Sequence, residues 1–179
     1  NSDGTVSVVS TTTLTEAKGS NVEFESGVAN NQGVAYDSNS DRVVITYKDE
    51  NNSNYGTAIV GTVSGDSISF GTAVVFESAQ VSHTTPVFDS SNNKIVVAYQ
   101  DQGNSGAGTA IVGTVDPSDN SISFGSATAF ESGNTNNSIG ISFDTSANKV
   151  VIAFRDNGDS NYGKAIVGTV SGTSISFGS

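Results

Sequence analysis

Several residue types that commonly carry structure or function are absent from this sequence or rare in it. Cysteine is missing, so neither disulfide bonds nor thiolate metal sites can stabilise the fold. Only 7 basic residues face 18 acidic ones, and the net charge of -11 repels phosphate backbones and anionic lipid head groups alike. No apolar run approaches the roughly 18 residues that a membrane span needs. We therefore expect neither nucleic acid partners nor membrane insertion.

Signatures of catalysis are missing as well. The chain has one histidine, His83, and it contains neither a Gly-x-Ser-x-Gly elbow nor a phosphate-binding loop. His83 occurs in a single repeat, and a local role in a turn is a simpler interpretation than that of a general base. Paired carboxylates stay open as an alternative, because their separation depends on the fold. We predict that the protein is not an enzyme.

What the sequence does contain is an internal repeat. The string Ala-Ile-Val-Gly-Thr-Val begins at Ala58, Ala110 and Ala165, and Phe-Glu-Ser begins at Phe24, Phe76 and Phe130. The copies of the first string lie 52 and 55 residues apart. A fixed period of this length indicates a protein built from stacked copies of one structural unit.

Each unit is predicted to contain four strands, which we name A to D in chain order. In the middle copy they are His83–Phe88, Lys94–Tyr99, Gly108–Val115 and Ser121–Phe130. Strand B is β-branched and apolar on both faces, which is typical of a strand covered on both sides. Clusters of Asn, Asp, Ser and Gly separate the strands, as in hairpins. The sequence therefore predicts an all-β protein with an up-and-down antiparallel order.

Two sets of glycines recur in the units. One set lies inside strand C, at Gly61, Gly113 and Gly168. The other follows a recurring phenylalanine of strand D, at Gly71, Gly125 and Gly178. A glycine inside a strand usually marks the close approach of another backbone, so the first set predicts contact with a neighbouring sheet. The second set predicts a bulge in strand D.

The repeat divides the chain into a half unit and three units. Residues 1–26 form a degenerate half unit with strands C and D, residues 27–78 and 79–132 form two full units, and residues 133–179 form a third whose last strand is incomplete. Four-stranded units without helices are typical of the blades of a β-propeller. Because three and a half blades do not close a ring, further repeats or a second copy would complete it. The alternative architecture is an open β-solenoid or linear array.

The last unit carries a resemblance to known proteins. The run from Asn161 to Gly178, Asn-Tyr-Gly-Lys-Ala-Ile-Val-Gly-Thr-Val-Ser-Gly-Thr-Ser-Ile-Ser-Phe-Gly, resembles repetitive propeller-like segments of marine phage structural proteins and marine bacterial surface proteins. The resemblance covers most of residues 27–179. It implies an extracellular location, on a virion or a cell surface.

The loops between strands B and C are the best candidate for a site. They are Asp49–Tyr55, Asp101–Ala107 and Asp156–Tyr162, and in a propeller they would emerge on one face. Their first aspartates, Asp49, Asp101 and Asp156, are candidate calcium ligands, and Asn52, Asn104 and Asp159 are candidate contacts for sugar hydroxyls. Asp and Asn also close turns by bonding their own backbone, and a structural turn would recur just as faithfully.

Aromatic and acidic residues add two further candidates. Tyr55 and Tyr162 share one loop position and could stack on a sugar, although they could also cover the edge of a neighbouring blade. Ala107 breaks this pattern, and the absence of tryptophan argues against a lectin. The recurring Glu25, Glu77 and Glu131 lie where strand D ends, as a ring of carboxylates that attracts cations or merely stays solvated.

These observations favour a non-catalytic module of a virion or cell-surface assembly. Its loop face would attach to glycans or to a protein partner, and several weak sites on one body would combine into tight attachment. The alternative is a purely structural subunit of a filament, appendage or shell, which assembles by completion of strands or blades. In both cases the expected partners include other copies of the protein or further repeats of the same polypeptide.

Overall fold

A computed structural model describes residues 19–135 and 138–178, and within them the protein is all β. The first unit comprises β1 (Ala29–Asp37), β2 (Arg42–Asp49), β3 (Tyr55–Ser64) and β4 (Ser67–Phe70). The second comprises the later part of β5 (Val74–Asp89), then β6 (Lys94–Asp101), β7 (Ala107–Asp116), β8 (Ser121–Phe124) and β9 (Thr128–Asn134). The third comprises β10 (Ile139–Asp144), β11 (Lys149–Asp156), β12 (Tyr162–Ser171) and β13 (Ser174–Phe177). Most of the predicted half unit, residues 1–18, lies outside the described residues.

The predicted antiparallel order is confirmed in each unit. Strand A pairs with B, B with C and C with D, as in the order β10, β11, β12, β13 of the third unit. A three-residue 3-10 helix, Gln102–Asn104, is the only helix in the described ranges, where no helix is long and apolar enough to cross a membrane. Within the same ranges, none of the sheets closes on itself.

Strand D differs from its prediction as one continuous strand. In the first unit it breaks after Phe70, and the N–H of Gly71 donates a 2.9 Å hydrogen bond to the carbonyl of Val60. The strand resumes as β5, whose first residues pair with β3 and whose later residues pair with β6. The predicted boundary between residues 78 and 79 therefore falls inside one 16-residue strand that belongs to two successive units.

The two sets of glycines exchange the roles that the sequence predicts. Gly61 of strand C lies opposite Phe70, and a Cβ there would come within 2.9 Å of that ring, so this glycine makes room for an aromatic ring of its own unit. The neighbouring unit approaches at Gly71 instead, where a Cβ would clash with the backbone carbonyl of Asn120. Gly125 meets the carbonyl of Thr173 in the same way. The expectation that strand C contacts a neighbouring backbone is wrong.

The hydrophobic core lies between the units and not within any one of them. One buried cluster joins the first unit to the second, and another joins the second to the third. Strand β6 is fully buried from Ile95 to Tyr99, with alternate residues in the two clusters. The prediction that strand B is covered on both sides holds for this middle unit, because it has a neighbouring sheet on each face.

Candidate functional site: the loops between strands B and C

The three B–C loops lie in a row on one face of the molecule. The crossing from strand D to the next strand A bonds each loop in turn, through Val81 N–H to the Asn54 carbonyl (3.0 Å), Thr135 N–H to the Gly106 carbonyl (3.1 Å) and Asn157 N–H to the Asn134 carbonyl (2.9 Å). Each crossing thus packs against the loops on one edge. This arrangement gives the protein a continuous, polar loop face.

The first aspartate of each loop forms a turn. Oδ1 of Asp49 accepts hydrogen bonds from the backbone N–H of Asn51 (3.0 Å) and of Asn52 (3.1 Å). Asp101 accepts from the N–H of Asn104 at 3.1 Å, and Asp156 repeats the double bond at 2.8 and 3.1 Å. Such bonds are the means by which Asp closes a tight turn on its own backbone. The geometry therefore supports the structural alternative for these three residues.

The described residues hold no group of three His, Cys, Asp or Glu side chains arranged for a metal ion. A calcium site usually gathers six to eight oxygens, several of them from carboxylates. Here one carboxylate oxygen of each aspartate is already bonded to the turn. Calcium binding at Asp49, Asp101 and Asp156 stays a prediction, with the backbone as its competitor for the same oxygen.

The positions proposed to contact a ligand are accessible. Asn52, Asn104 and Asp159 are all exposed, and it is their backbone N–H groups that the turns use. The side chains of the two asparagines could therefore donate to and accept from hydroxyl groups. The third position differs, because the Asp159 carboxylate forms an ion pair with Lys164 at 2.9 Å.

The two tyrosines of the loops have different surroundings. Tyr55 is half-buried and lies opposite Gln80 of β5. Tyr162 is 63% exposed, and in the described ranges no strand pairs with its free side. Stacking on a sugar stays a prediction for both residues. The geometry also supports the alternative that a tyrosine at this position covers a strand edge, since Tyr55 is covered where strand D is present.

An ion pair that the sequence analysis did not identify distinguishes the third loop. Nζ of Lys164 lies 2.6 Å from Oδ2 of Asp156 and 2.9 Å from Oδ2 of Asp159. These contacts hold the pKa of the Lys164 ammonium above its usual range and that of the Asp156 carboxyl below it. The first two units carry Thr57 and Thr109 at this position, so the departure from the repeat was the available signal.

The recurring glutamates take part in contacts between units. Oε1 of Glu77 accepts the N–H of Ala79 at 3.1 Å, and Oε2 accepts the hydroxyl of Tyr99 in the next unit at 2.9 Å. Glu25 and Tyr47 repeat this contact at 3.1 Å. Two of the three predicted carboxylates thus bind a tyrosine instead of standing free in solvent. A spacing of 22 residues between glutamate and tyrosine recurs in the sequence and could have indicated the pair.

His83 occupies an unusual backbone position. Its φ is 53°, and Asn31, 52 residues earlier, has a φ of 55°. Both residues lie where the pairing register of strand A shifts, so a local backbone role recurs here with two different side chains. Burial lowers the pKa of the His83 imidazole.

Comparison of the chain with protein-family models, curated proteins and solved structures finds no match.

Proposed function

We propose that the protein is a non-catalytic structural module of a virion or cell-surface assembly, and that its units are blades of a β-propeller which other repeats or copies complete. The observation that carries this proposal is the burial of the middle unit. Its strands B and C have apolar residues on both faces, and both faces are covered by the neighbouring units. A unit of this kind depends on its neighbours for most of its core.

The outer faces of the stack support the same proposal. In the middle unit, Val112 is fully buried against the third unit. The equivalent Val167 is 48% exposed on the far face of the third unit, next to exposed Ala165. The first unit exposes Val34 (64%) and Tyr36 (56%). Apolar surface of this kind favours association with a further sheet.

Electron microscopy of the purified protein tests the architecture. We expect compact ring-shaped particles, because propeller blades close around a central axis. Straight or helical rods would contradict the propeller and favour the open array. Immunogold labelling of intact virions and cells of the source tests the location, with surface labelling as the expected result and labelling confined to the cell interior as the contrary one.

Attachment to glycans is a second candidate function, favoured by the row of exposed loops on one face. A glycan array probed with the protein, in calcium and again in chelator, tests it. Saturable binding that Tyr55→Ala and Tyr162→Ala weaken would support attachment, and loss in chelator would assign Asp49, Asp101 and Asp156 to a metal. Absence of binding in both conditions would leave the structural role as the function.

A further inference from the structure

We propose that residues 20–26 of a second copy of the chain form the missing part of strand D in the third unit, on the free edge of β12. The proposal rests on the function proposed above and names the partner that completes the blades. In the first two units, the segments that begin at Val74 and Thr128 occupy this edge. In the third unit, β13 ends at Phe177, and the described residues include no strand beyond it.

The free edge has the shape of a vacant strand position. A groove of about 440 Å³ runs along β12 from Lys164 to Val167, and Phe130, Glu131 and Phe154 form its other wall. Gly163 has no atom within 4 Å of where its Cβ would stand. Its equivalents in the first two units, Gly56 and Gly108, are covered closely by the rings of Phe76 and Phe130. A phenylalanine is therefore what this edge lacks.

Phe24 is the phenylalanine of the chain that has the matching position. Each of its equivalents contacts a glycine of the unit before and two aromatic rings of the unit after, as Phe76 contacts Gly56, Tyr99 and Phe124. Phe24 has both contacts to the unit after, with ring centroids 5.3 Å from Tyr47 and 6.1 Å from Phe70. Gly163 of another copy would supply the remaining contact without displacing the other two.

The register follows from the pairing in the other units. There Ala58 lies opposite Val74, Thr57 opposite Val75 and Gly56 opposite Glu77. The same register places Ala165 opposite Val22, Lys164 opposite Glu23 and Gly163 opposite Glu25 of the second copy. Residues 20–26 have no strand partner in the described ranges, and Val22 is 38% exposed. They follow Gly19 as Val74 and Thr128 follow Gly71 and Gly125, and they end in the same Phe-Glu-Ser.

Charge distinguishes this junction from the junctions inside the chain. The internal pairs at this position are uncharged, Thr57 with Val75 and Thr109 with Ala129. At the proposed junction both members depart from the repeat, and they carry opposite charges, Lys164 and Glu23. Opposite charges directly across two antiparallel strands stabilise the pairing. An ammonium has three N–H donors, and two of those on Lys164 already bond Asp156 and Asp159, which leaves one for Glu23.

The junction runs head to tail, so it forms either a ring or an open filament. Each copy contributes three units, and propellers have about four to eight blades. Two copies give six blades, whereas three copies exceed that range. We expect a closed dimer in which each copy supplies residues 20–26 to the third unit of the other.

Light scattering after size exclusion, run over a range of protein concentrations, tests the assembly. We expect a species with twice the chain mass of 18.2 kDa. A monomer at every concentration would mean that Phe24 is covered within its own chain, and would overturn the proposal. Open-ended assemblies that a block of the β12 edge abolishes would support the junction but contradict the propeller of the proposed function.

Gly163→Val blocks the edge without touching the rest of the protein. The added side chain meets open space in one copy but occupies the position of the incoming Phe24 ring. We expect the variant to fold, as judged by circular dichroism and thermal unfolding, and to be monomeric. Ser176→Val is the matched control, because Ser123, its equivalent in the middle unit, stays exposed. A dimeric Gly163→Val variant would contradict the junction.

Charge reversal tests the register. Lys164→Glu and Glu23→Lys should each weaken the dimer, by roughly threefold to tenfold in dissociation constant at low salt. The double variant should recover most of that loss. Within one chain the two residues lie at opposite ends of the three-unit stack, so recovery reports contact between copies. Additive losses in the double variant would reject this register.

Disulfide trapping gives an independent answer, because the chain has no cysteine of its own. A chain with Glu23→Cys and Lys164→Cys should run as a covalent dimer after mild oxidation and as a monomer after reduction. Glu23→Cys combined with Ser176→Cys is the control and should stay monomeric on a non-reducing gel. Equal crosslinking of the two pairs would overturn the assignment of residues 20–26 to the edge of β12.

Discussion

The hydroxyl of Tyr99 donates a 2.9 Å hydrogen bond to Oε2 of Glu77, which joins strand B of the second unit to the end of strand D of the first. The ring of Tyr99 also packs edge-on against Phe76, with centroids 5.3 Å apart. In the third unit Phe154 takes the place of the tyrosine and packs on Phe130 at 5.2 Å. Ring packing is thus common to all the contacts between units, and the hydroxyl is an addition to it.

Tyr99→Phe should lower the free energy of unfolding by about 1–2 kcal/mol, because it removes the hydroxyl from a buried contact with a carboxylate. The variant keeps the ring and copies what the third unit already has. Urea unfolding followed by circular dichroism measures the loss. Tyr36→Phe is the control, since the Tyr36 hydroxyl bonds Asp41 on the exposed surface. An equal effect of both variants would show that burial of the hydrogen bond does not matter.

Tyr47 and Tyr99 should resist ionisation in base. Burial, followed by the neighbouring Glu25 and Glu77, raises the pKa of both phenols far above the ordinary value of 10.0. The native state therefore keeps two protons that the unfolded chain releases near pH 10. The resulting stability is complete below that pH and is lost as the pH rises towards the folded pKa.

A phenolate absorbance titration checks this prediction. We expect ionisation of Tyr47 and Tyr99 only together with unfolding, and the double variant Tyr47→Phe, Tyr99→Phe should lack that late phase. Titration of both residues near pH 10 in the folded protein would contradict the burial of their hydroxyls.

The sequence predicts the strands well because each one carries its own pattern. Strand B, for example, is a β-branched run bounded by Asp at both ends, and it appears at Arg42–Asp49, Lys94–Asp101 and Lys149–Asp156. The predicted ends fall two residues short, since the aspartate that closes the following turn also pairs in the ladder. Local patterning was sufficient here because strand pairing within a unit is local in sequence.

Contacts between units were not predictable in the same way. The sequence shows that Gly61 and Gly71 both recur, but not which of them faces a neighbouring sheet. That depends on how the units stack, and the stacking brings Asn120 against Gly71 while Phe70 covers Gly61. The loop aspartates posed the same difficulty, because Asp serves equally well in a turn and at a metal site.

Gly125→Ala should destabilise the protein by about 1–3 kcal/mol, the usual cost of overpacking. Its Cβ would clash with the backbone carbonyl of Thr173, which the packed third unit holds in place. Gly163→Ala is the matched control, because its Cβ meets open space within a single chain. Thermal unfolding of the two variants at a concentration that keeps the protein monomeric measures the difference. A larger loss for Gly163→Ala would contradict the stacking of the units.

The ion pair of the third loop should make stability depend on acid pH. Lys164 holds the pKa of Asp156 below its ordinary value of 3.8. A carboxyl with a depressed folded pKa stabilises the protein above its unfolded pKa, and this contribution disappears as the pH falls through the folded value. Lys164→Thr, which restores the residue of the other units, should therefore lower the melting temperature near neutral pH and have little effect in strong acid.

Melting temperatures of the wild type and the variant, measured from about pH 7 to about pH 2, check this expectation. Lys149→Thr serves as the control, because Lys149 bonds the hydroxyl of Thr169 and removes the same charge without touching a carboxylate in that bond. The difference between wild type and Lys164→Thr should shrink below about pH 4, while that for Lys149→Thr should change less. Parallel pH curves for the two variants would show that net charge, and not the contact with Asp156, accounts for the effect of Lys164.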